Sequence, residues 1–144
     1  MSTLEQAIAL AVEAHKGQVD KSGQPYILHP LRVMFRLESE NERIVGVLHD
    51  VVEDSPLTLD DLRQMGYNEE VIEGVDGVTR RENESYAQFI ERSQQNKLSS
   101  RVKIADLEDN MDLRRLPREL TERDYERLRR YKRAWRQLKG KSGL

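Results

Sequence analysis

The sequence predicts an all-α domain, and three observations support this. Apolar residues recur every three or four positions along most of the chain, which is the spacing of one helix face. No segment shows the strict alternation of a half-buried strand. Glycine, proline and capping residues separate the periodic segments. At 144 residues, the chain has the length of one domain, so we expect seven or eight helices in a single unit over residues 1–144.

The first three helices follow from the apolar pattern. A stripe from Leu4 to His15 predicts helix one. Residues 21–25, with glycine and proline, predict a loop. A second helix is expected from about Pro30 to Leu37, because proline is tolerated in a first turn. Residues 41–53 are apolar nearly all round, so this third helix should lie at the centre of the domain.

The helices predicted after the third are short, except for the last one. Ser55-Pro56 ends the third helix, Thr58 is a predicted N-cap for a helix to Met65, and Gly66 is its predicted stop. Three further helices are expected at residues 69–78, 84–95 and 99–113. A long polar helix with one apolar stripe should run from about Thr121 to Lys139.

Charge is unevenly distributed along the chain. Residues 1–113 hold 12 Lys and Arg against 22 Asp and Glu, a net of −10, whereas residues 114–144 hold 12 against 4, a net of +8. The basic C-terminal helix, about 118–140, could pair with the acidic body or supply positive charge to a pocket. We do not expect nucleic acid as a partner, because acidic neighbours dilute the basic patch and no recognition motif accompanies it.

Composition excludes several classes of protein. Cysteine is absent, which excludes disulfides and thiolate metal sites. No apolar run approaches the ~20 residues of a membrane span, and the N-terminus lacks the features of a signal peptide. We therefore expect a soluble, cytoplasmic protein with no membrane partner.

Four polar residues crowd two turns of the most apolar segment. His49 and Asp50 are adjacent, and Glu53 and Asp54 each follow one turn later. Burying a carboxylate there costs several kcal/mol unless it is paired or binds a metal. This cluster therefore points to a polar site inside the domain.

Two other segments offer matching ligands. Asp106 lies in a second apolar helix with Asn110 one turn on, and His29 directly precedes Pro30. Two imidazoles with two carboxylates suit Mn²⁺, Fe²⁺ or Zn²⁺. From residue chemistry alone, a metal or acid–base site and a purely structural His-Asp set both remain open.

Several ordered segments resemble the hydrolase domain of the RelA/SpoT-type alarmone enzymes, in the HD metal-dependent phosphohydrolase superfamily. The similarity to the small, free-standing alarmone hydrolases is especially close. The matching segments are AHKGQ (14–18), KSGQPYILHP (21–30), LHDVVED (48–54), VDGVT (75–79), VKIAD (102–106) and Asn110-Met111. Together the matches span roughly residues 4–113.

The resemblance implies an HD fold around one metal site and assigns roles to particular residues. The implied metal ligands are His29, His49, Asp50 and Asp106, with Mn²⁺ as the usual ion and Zn²⁺ or Fe²⁺ as alternatives. Glu53 and Asp54 match the acidic pair that orients and deprotonates the attacking water. The implied substrate contacts are Lys21, Ser22 and Asn110.

The activity implied by the resemblance is hydrolysis of a small nucleotide. Family members remove the 3′-pyrophosphate of ppGpp or pppGpp with metal-activated water. No synthetase segment follows, so alarmone synthesis is not expected.

Three acids depart from the family pattern. Asp20 stands where many family members have arginine, Asp109 where they have histidine and Asp112 where they have arginine. If they face the pocket, these acids should weaken binding of a polyanion. Hydrolysis of another nucleotide, such as removal of the 2′-phosphate from NADPH, therefore remains an alternative activity. A non-catalytic metal-bound module is a third possibility, against which the Glu53-Asp54 pair argues.

Two further residues have mainly structural interpretations. His15 lies on the apolar stripe of helix one, so a hydrogen-bonded core histidine is expected there. Lys103, between Val102 and Ile104, is either a snorkelling surface lysine or a phosphate contact.

Overall fold

The computed structural model describes residues 2–116 and 118–141, and this part of the chain is helical, as predicted. The helices are α1 (Leu4–His15), α2 (Leu28–Phe35), α3 (Glu40–Leu48), α4 (Val51–Asp54), α5 (Leu59–Gln64), α6 (Glu69–Gly77), α7 (Tyr86–Gln94), α8 (Lys97–Asn110) and α9 (Glu122–Lys141), with a 3₁₀ turn at Leu113–Arg115. Within the described ranges, extended pairing is limited to one antiparallel bridge between Val19 and Pro25. None of the described helices is both long and apolar enough to cross a bilayer.

Reciprocal capping boxes fix the starts of five of the described helices. At Thr3, Ser39, Thr58, Ser85 and Thr121, the hydroxyl accepts from the backbone amide three residues on, and the side chain of that residue accepts from the cap's own amide. Each box satisfies two amides that a helix start leaves unpaired. The predicted cap at Thr58 is confirmed. Gly66 follows the end of α5 with a φ of 98°, a conformation that glycine adopts without strain.

The predicted third helix, 41–53, is broken into α3 and α4 at His49 and Asp50. The Gly46 carbonyl accepts from the His49 ring Nδ1 at 2.6 Å and from the His49 amide at 3.5 Å. Asp50 then leaves helical geometry with φ −105° and ψ 0°. The break exists because the His49 side chain takes a carbonyl that helix continuation would use. Counted as one helix, α3 and α4 give the predicted total of eight.

Helix α3 lies at the centre of the domain, as its all-round apolar pattern predicted. Residues 44–48 are buried, and α3 packs against α1, α2, α6 and α8. Gly46 leaves room for Leu37, which follows α2, because a Cβ there would lie 2.7 Å from the Leu37 Cδ1 atom. The helix that ends just before His49 is therefore packed against four others.

Helix α9 docks through the predicted apolar stripe. Ala134 and Leu138 are buried against Ile90 of α7 and Leu107 of α8, forming a second apolar cluster. The Trp135 indole Nε1 also donates to the Glu108 carboxylate at 3.0 Å. The basic C-terminal helix is therefore part of the folded domain.

Candidate metal centre

Two histidines and an aspartate converge from α2 and the α3–α4 junction. His29 lies in the first turn of α2, and His49 and Asp50 lie at the junction. One ligand atom from each lies within 4.8 Å of the others. Asp106 of α8 joins them, since its Oδ1 is 2.9 Å from the His29 Nε2 and 3.3 Å from the His49 Nε2. Three predicted ligands thus form one cluster, and Asp106 adjoins it through the two histidines.

The His49 ring is oriented for coordination. Its Nδ1–H donates to the Gly46 carbonyl at 2.6 Å, which leaves the lone pair on Nε2. That Nε2 is buried without a hydrogen-bond partner, although Asp50 and Asp106 oxygens lie 3.1 and 3.3 Å away. Burial lowers the pKa of His49, but the charges of these two carboxylates outweigh it and raise the pKa well above its usual value. A buried, unpartnered nitrogen beside carboxylates fits a divalent cation.

His29 is held from both ring nitrogens. Its Nε2 contacts Asp106 at 2.9 Å and its Nδ1 contacts the Asp109 Oδ2 at 2.6 Å. Burial lowers the pKa of His29, but hydrogen bonds to the two carboxylates outweigh this and raise it. A carboxylate on Nδ1 is the usual way in which proteins orient a metal-binding imidazole.

Asp109, one of the three acids that depart from the family pattern, does not line the substrate pocket. Its side chain is completely buried behind His29, where its Oδ1 also accepts from the Arg32 Nε at 2.8 Å and its Oδ2 lies 3.0 Å from the Arg115 NH1. Burial raises the pKa of Asp109, but these hydrogen bonds and charges lower it to about 2. Asp109 is therefore a paired anion and not a repulsive group in the pocket.

Asp106 is fixed by two neighbours on its own helix. The Lys103 Nζ donates to its Oδ2 at 2.8 Å, and the Asn110 Nδ2 donates to its Oδ1 at 3.1 Å. Burial raises the pKa of Asp106, but the Lys103 and His49 charges bring it well below its usual value. Lys103 is buried, so the interpretation as a surface lysine is wrong; it balances the charge of Asp106.

Asp50 accepts a short hydrogen bond from the Tyr26 hydroxyl. Burial raises the pKa of Asp50, but the His49 charge lowers it to about 2. Tyr26 was not predicted as a site residue, although it lies in the KSGQPYILHP segment. Its ring lies 5.0 Å from that of His15 and 5.7 Å from that of His29. His15 itself is buried with its Nδ1 2.8 Å from the Gln18 Oε1, which confirms a hydrogen-bonded core histidine.

Glu53 and Asp54 lie on α4, directly after the junction, and are exposed. The Glu53 Oε1 accepts from the Arg80 backbone amide at 2.6 Å. Partial desolvation and the nearby Asp50 charge raise the pKa of both carboxyl groups. Raised values make the two carboxylates better proton acceptors than ordinary surface acids.

A pocket of about 380 Å³ opens beside the cluster, between the 19–26 loop, the end of α8 and α9. The predicted substrate contacts Lys21, Ser22 and Asn110 all line it, as does His29. Arg127 and Tyr131 of α9 complete the opposite wall. The sequence predicted no specific role for Arg127 or Tyr131. It did suggest that the basic C-terminal helix could supply positive charge to a pocket.

Asp20 and Asp112 do line this pocket, but both are engaged. The Asp20 Oδ1 accepts from the amides of Ser22 and Gln24 at 2.8 and 3.0 Å. Asp112 receives a 2.8 Å bond from the Arg114 NH2. Hydrogen bonds from Arg114 lower the pKa of Asp112 to about 2. Local pairing thus offsets part of the negative charge that these two acids bring.

A sequence model of the HD domain family matches residues 7–116, about three quarters of the chain. The chain belongs to the HD domain family. The predicted resemblance to RelA/SpoT-type hydrolases is confirmed by relatives that match this HD domain over about half its length. It is 40% identical over 81 residues, 54% of its own length, to the bifunctional (p)ppGpp synthase/hydrolase SpoT of Escherichia coli. It is 37% identical over 84 residues, 56% of its length, to a GTP pyrophosphokinase of Myxococcus xanthus.

The matched region is a small part of both relatives. This HD domain covers 11% of the length of each. Among solved structures, it is similar to a metazoan orthologue of SpoT described as hydrolyzing ppGpp and playing a role in starvation responses, with a TM-score of 0.78 and 21% identity. The alignment covers 96% of this chain and 85% of that one. This similarity confirms the predicted HD fold.

Proposed function

We propose that this HD domain is a divalent-metal-dependent hydrolase that removes the 3′-pyrophosphate from ppGpp- or pppGpp-like nucleotides. The observation that carries the proposal is the His29–His49–Asp50 cluster, with its buried, unpartnered His49 Nε2, beside a pocket whose lining includes basic side chains. The relatives named for (p)ppGpp hydrolysis support the choice of substrate.

The proposed metal ligands are His29, His49, Asp50 and Asp106, and the proposed ion is Mn²⁺, with Zn²⁺ or Fe²⁺ as alternatives. Mixed imidazole and carboxylate donors suit these ions. A bound ion of this kind lowers the pKa of its water and polarises a phosphoryl oxygen. Lys103 and Asn110 hold the Asp106 carboxylate in position through bonds of 2.8 and 3.1 Å.

Glu53 and Asp54 are the proposed proton acceptors. Their carboxylates follow the ligand pair on α4, and their raised pKa values favour taking a proton from water near neutral pH. The Arg80 amide fixes one Glu53 oxygen at 2.6 Å, which limits the rotation of that side chain.

The pocket supplies groups for a phosphorylated nucleotide. Lys21 and Arg127 bring positive charge to the lining, the latter 3.4 Å from the Asp124 carboxylate, and Ser22 and Asn110 bring polar groups. Burial and then the charge of Arg127 lower the pKa of Lys21. The Arg127 part of this shift reflects two cations near one pocket, and an anionic ligand would offset that part.

The test is turnover of a substrate panel by the protein loaded with Mn²⁺. We expect pyrophosphate release from ppGpp and pppGpp, and loss of at least about 100-fold in kcat for Asp50→Ala and Glu53→Ala. Asp60→Ala, which removes an exposed carboxylate of α5, is the matched control and should match wild type. Hydrolysis of NADPH but not of ppGpp would replace the proposed substrate. Metal binding without turnover of any nucleotide would leave a non-catalytic module.

A further inference from the structure

We infer that Asp109 and Arg115 are positioning residues that join the metal ligand His29 to the loop forming one wall of the substrate pocket. This inference rests on the proposed metal site. Asp109 holds the His29 ring, and Arg115 holds both Asp109 and Asp20, which organises residues 20–24. Metal binding and the shape of the pocket are thereby connected through one guanidinium.

Asp109 has the geometry of a carboxylate that fixes an imidazole. Its Oδ2 lies 2.6 Å from the His29 Nδ1, so the other nitrogen, Nε2, faces Asp106, Asp50 and His49. The Asp109 side chain is fully buried, and Arg32 and Arg115 hold it at 2.8 and 3.0 Å. With the carboxylate held from three sides, the plane of the His29 ring is set.

Arg115 extends this arrangement to the pocket loop. Its NH1 also donates to the Asp109 carbonyl at 2.9 Å, and its NH2 lies 3.6 Å from the Asp20 Oδ2. The Arg115 carbonyl accepts a short bond from the Ser22 hydroxyl. Arg115 therefore touches the loop at two points and the His29 partner at two.

The loop depends on the same acid that Arg115 contacts. Asp20 accepts from the amides of Ser22 and Gln24 through its Oδ1, while its Oδ2 faces Arg115. Its neighbours Lys21 and Ser22 line the pocket. A shift of Arg115 would consequently move the groups proposed to contact substrate.

Pairing with Arg115 explains how the domain accommodates the carboxylates of Asp20 and Asp109. Asp20 and Asp109 occupy positions where the RelA/SpoT-type pattern has arginine and histidine, and both face the single Arg115 side chain. An unpaired buried carboxylate at position 109 would be costly, and Arg115 together with Arg32 offsets its charge. The acids thus belong to one network with Arg115 and are not independent losses of positive charge.

The test compares Asp109→Asn and Arg115→Gln with Arg114→Gln in the full chain. Arg114 is the matched control, because it is exposed and pairs with Asp112 alone among the described ion pairs. We expect Asp109→Asn to weaken Mn²⁺ binding, measured by calorimetry, about 10–100-fold. We expect Arg115→Gln to weaken it less and to speed hydrogen exchange at the Ser22 and Gln24 amides. Added Mn²⁺ should slow exchange at these amides in wild type but not in Arg115→Gln.

The outcomes separate this inference from the proposed function. If the wild-type protein binds no Mn²⁺, both the proposed function and this inference are overturned. If wild type binds Mn²⁺ and a folded Asp109→Asn binds it within about twofold, the positioning role alone is overturned. If Asp109→Asn does not fold, the Arg115→Gln variant provides the test. Mn²⁺ affinity and hydrogen exchange at the loop amides equal to those of Arg114→Gln would then overturn the inference.

Discussion

The Nδ1 of His49 donates to the carbonyl of Gly46 at 2.6 Å, and this one bond both ends α3 and turns the other ring nitrogen toward the acids. A nitrogen that donates to a carbonyl carries a proton, so Nε2 is the ring nitrogen left facing Asp50 and Asp106. The proposed coordination and the end of the helix therefore involve the same side chain.

Replacing His49 with glutamine should abolish tight Mn²⁺ binding. Glutamine can still donate to the Gly46 carbonyl but cannot present an imidazole lone pair. We expect Mn²⁺ affinity to fall more than about 100-fold in calorimetry. His15→Gln, at the one buried histidine outside the proposed ligand set, is the control and should bind Mn²⁺ within about threefold of wild type. Equal loss in both variants would contradict the assignment of His49.

Glu53→Gln and Asp54→Asn should lower kcat while leaving Mn²⁺ affinity nearly unchanged. Each amide keeps the size of the side chain but cannot accept a proton as the carboxylate does. We expect kcat to fall about 10²–10⁴-fold, the range of a lost general base. Steady-state kinetics and calorimetry on the same preparations check this. A large loss of metal affinity would instead assign these residues to the metal.

Arg127→Gln should raise KM about tenfold or more with little change in kcat. Arg127 lines the pocket wall opposite Lys21, so its charge should stabilise bound substrate and transition state alike. Arg133→Gln removes an exposed arginine of the same helix that does not line the pocket. If both substitutions raise KM equally, the effect is the general field of α9 and not a contact in the pocket.

Leu138→Ala should destabilise the domain by about 2–5 kcal/mol, because it leaves a cavity against Ile90 and Leu107. Leu113→Ala, at a position 54% exposed, should change the free energy of unfolding by less than about 0.5 kcal/mol. Chemical denaturation measures both. Deleting residues 118–144 would remove this cluster as well as Arg127, so point substitutions separate stability from substrate binding better than truncation.

The Glu84–Arg92 pair should make stability depend on acid pH. The Arg92 Nε and NH2 contact the Glu84 carboxylate at 2.8 and 3.0 Å, and this bond lowers the pKa of Glu84 to about 2 from the usual 4.5. A lowered folded-state pKa contributes stability that is present above pH 4.5 and is lost as pH falls toward 2.

Denaturation of Glu84→Gln and wild type at several pH values tests this contribution. The difference in unfolding free energy should be roughly 1.5–3 kcal/mol near neutrality, the range of a hydrogen bond to a charged group, and should shrink between pH 4.5 and 2. Glu82→Gln, at an exposed neighbouring position, should show no such trend. A difference that stays constant across this range would disprove the contribution of the ion pair.

The helices and the closeness of His29, His49 and Asp50 could be predicted because their signals are local or lie in ordered motifs. His49 and Asp50 stand out as polar residues in an apolar segment, and the spacing of apolar residues gives most helix bounds within a few residues. The break between α3 and α4 could not be predicted, since it depends on a side-chain bond back to Gly46. The location of Asp109 behind His29 depends on contacts with Arg32 of α2, which a local pattern cannot reveal.

The contact between Trp135 and Glu108 provides an optical signal native to the domain. Trp135 is the single tryptophan of the sequence, and its indole donates to a side chain of α8, two residues after Asp106. Its emission therefore reports the docking of α9 against α8, which carries Asp106, without an added fluorophore. Stopped-flow recordings of that emission could time the response of this helix pair to a metal ion or a nucleotide.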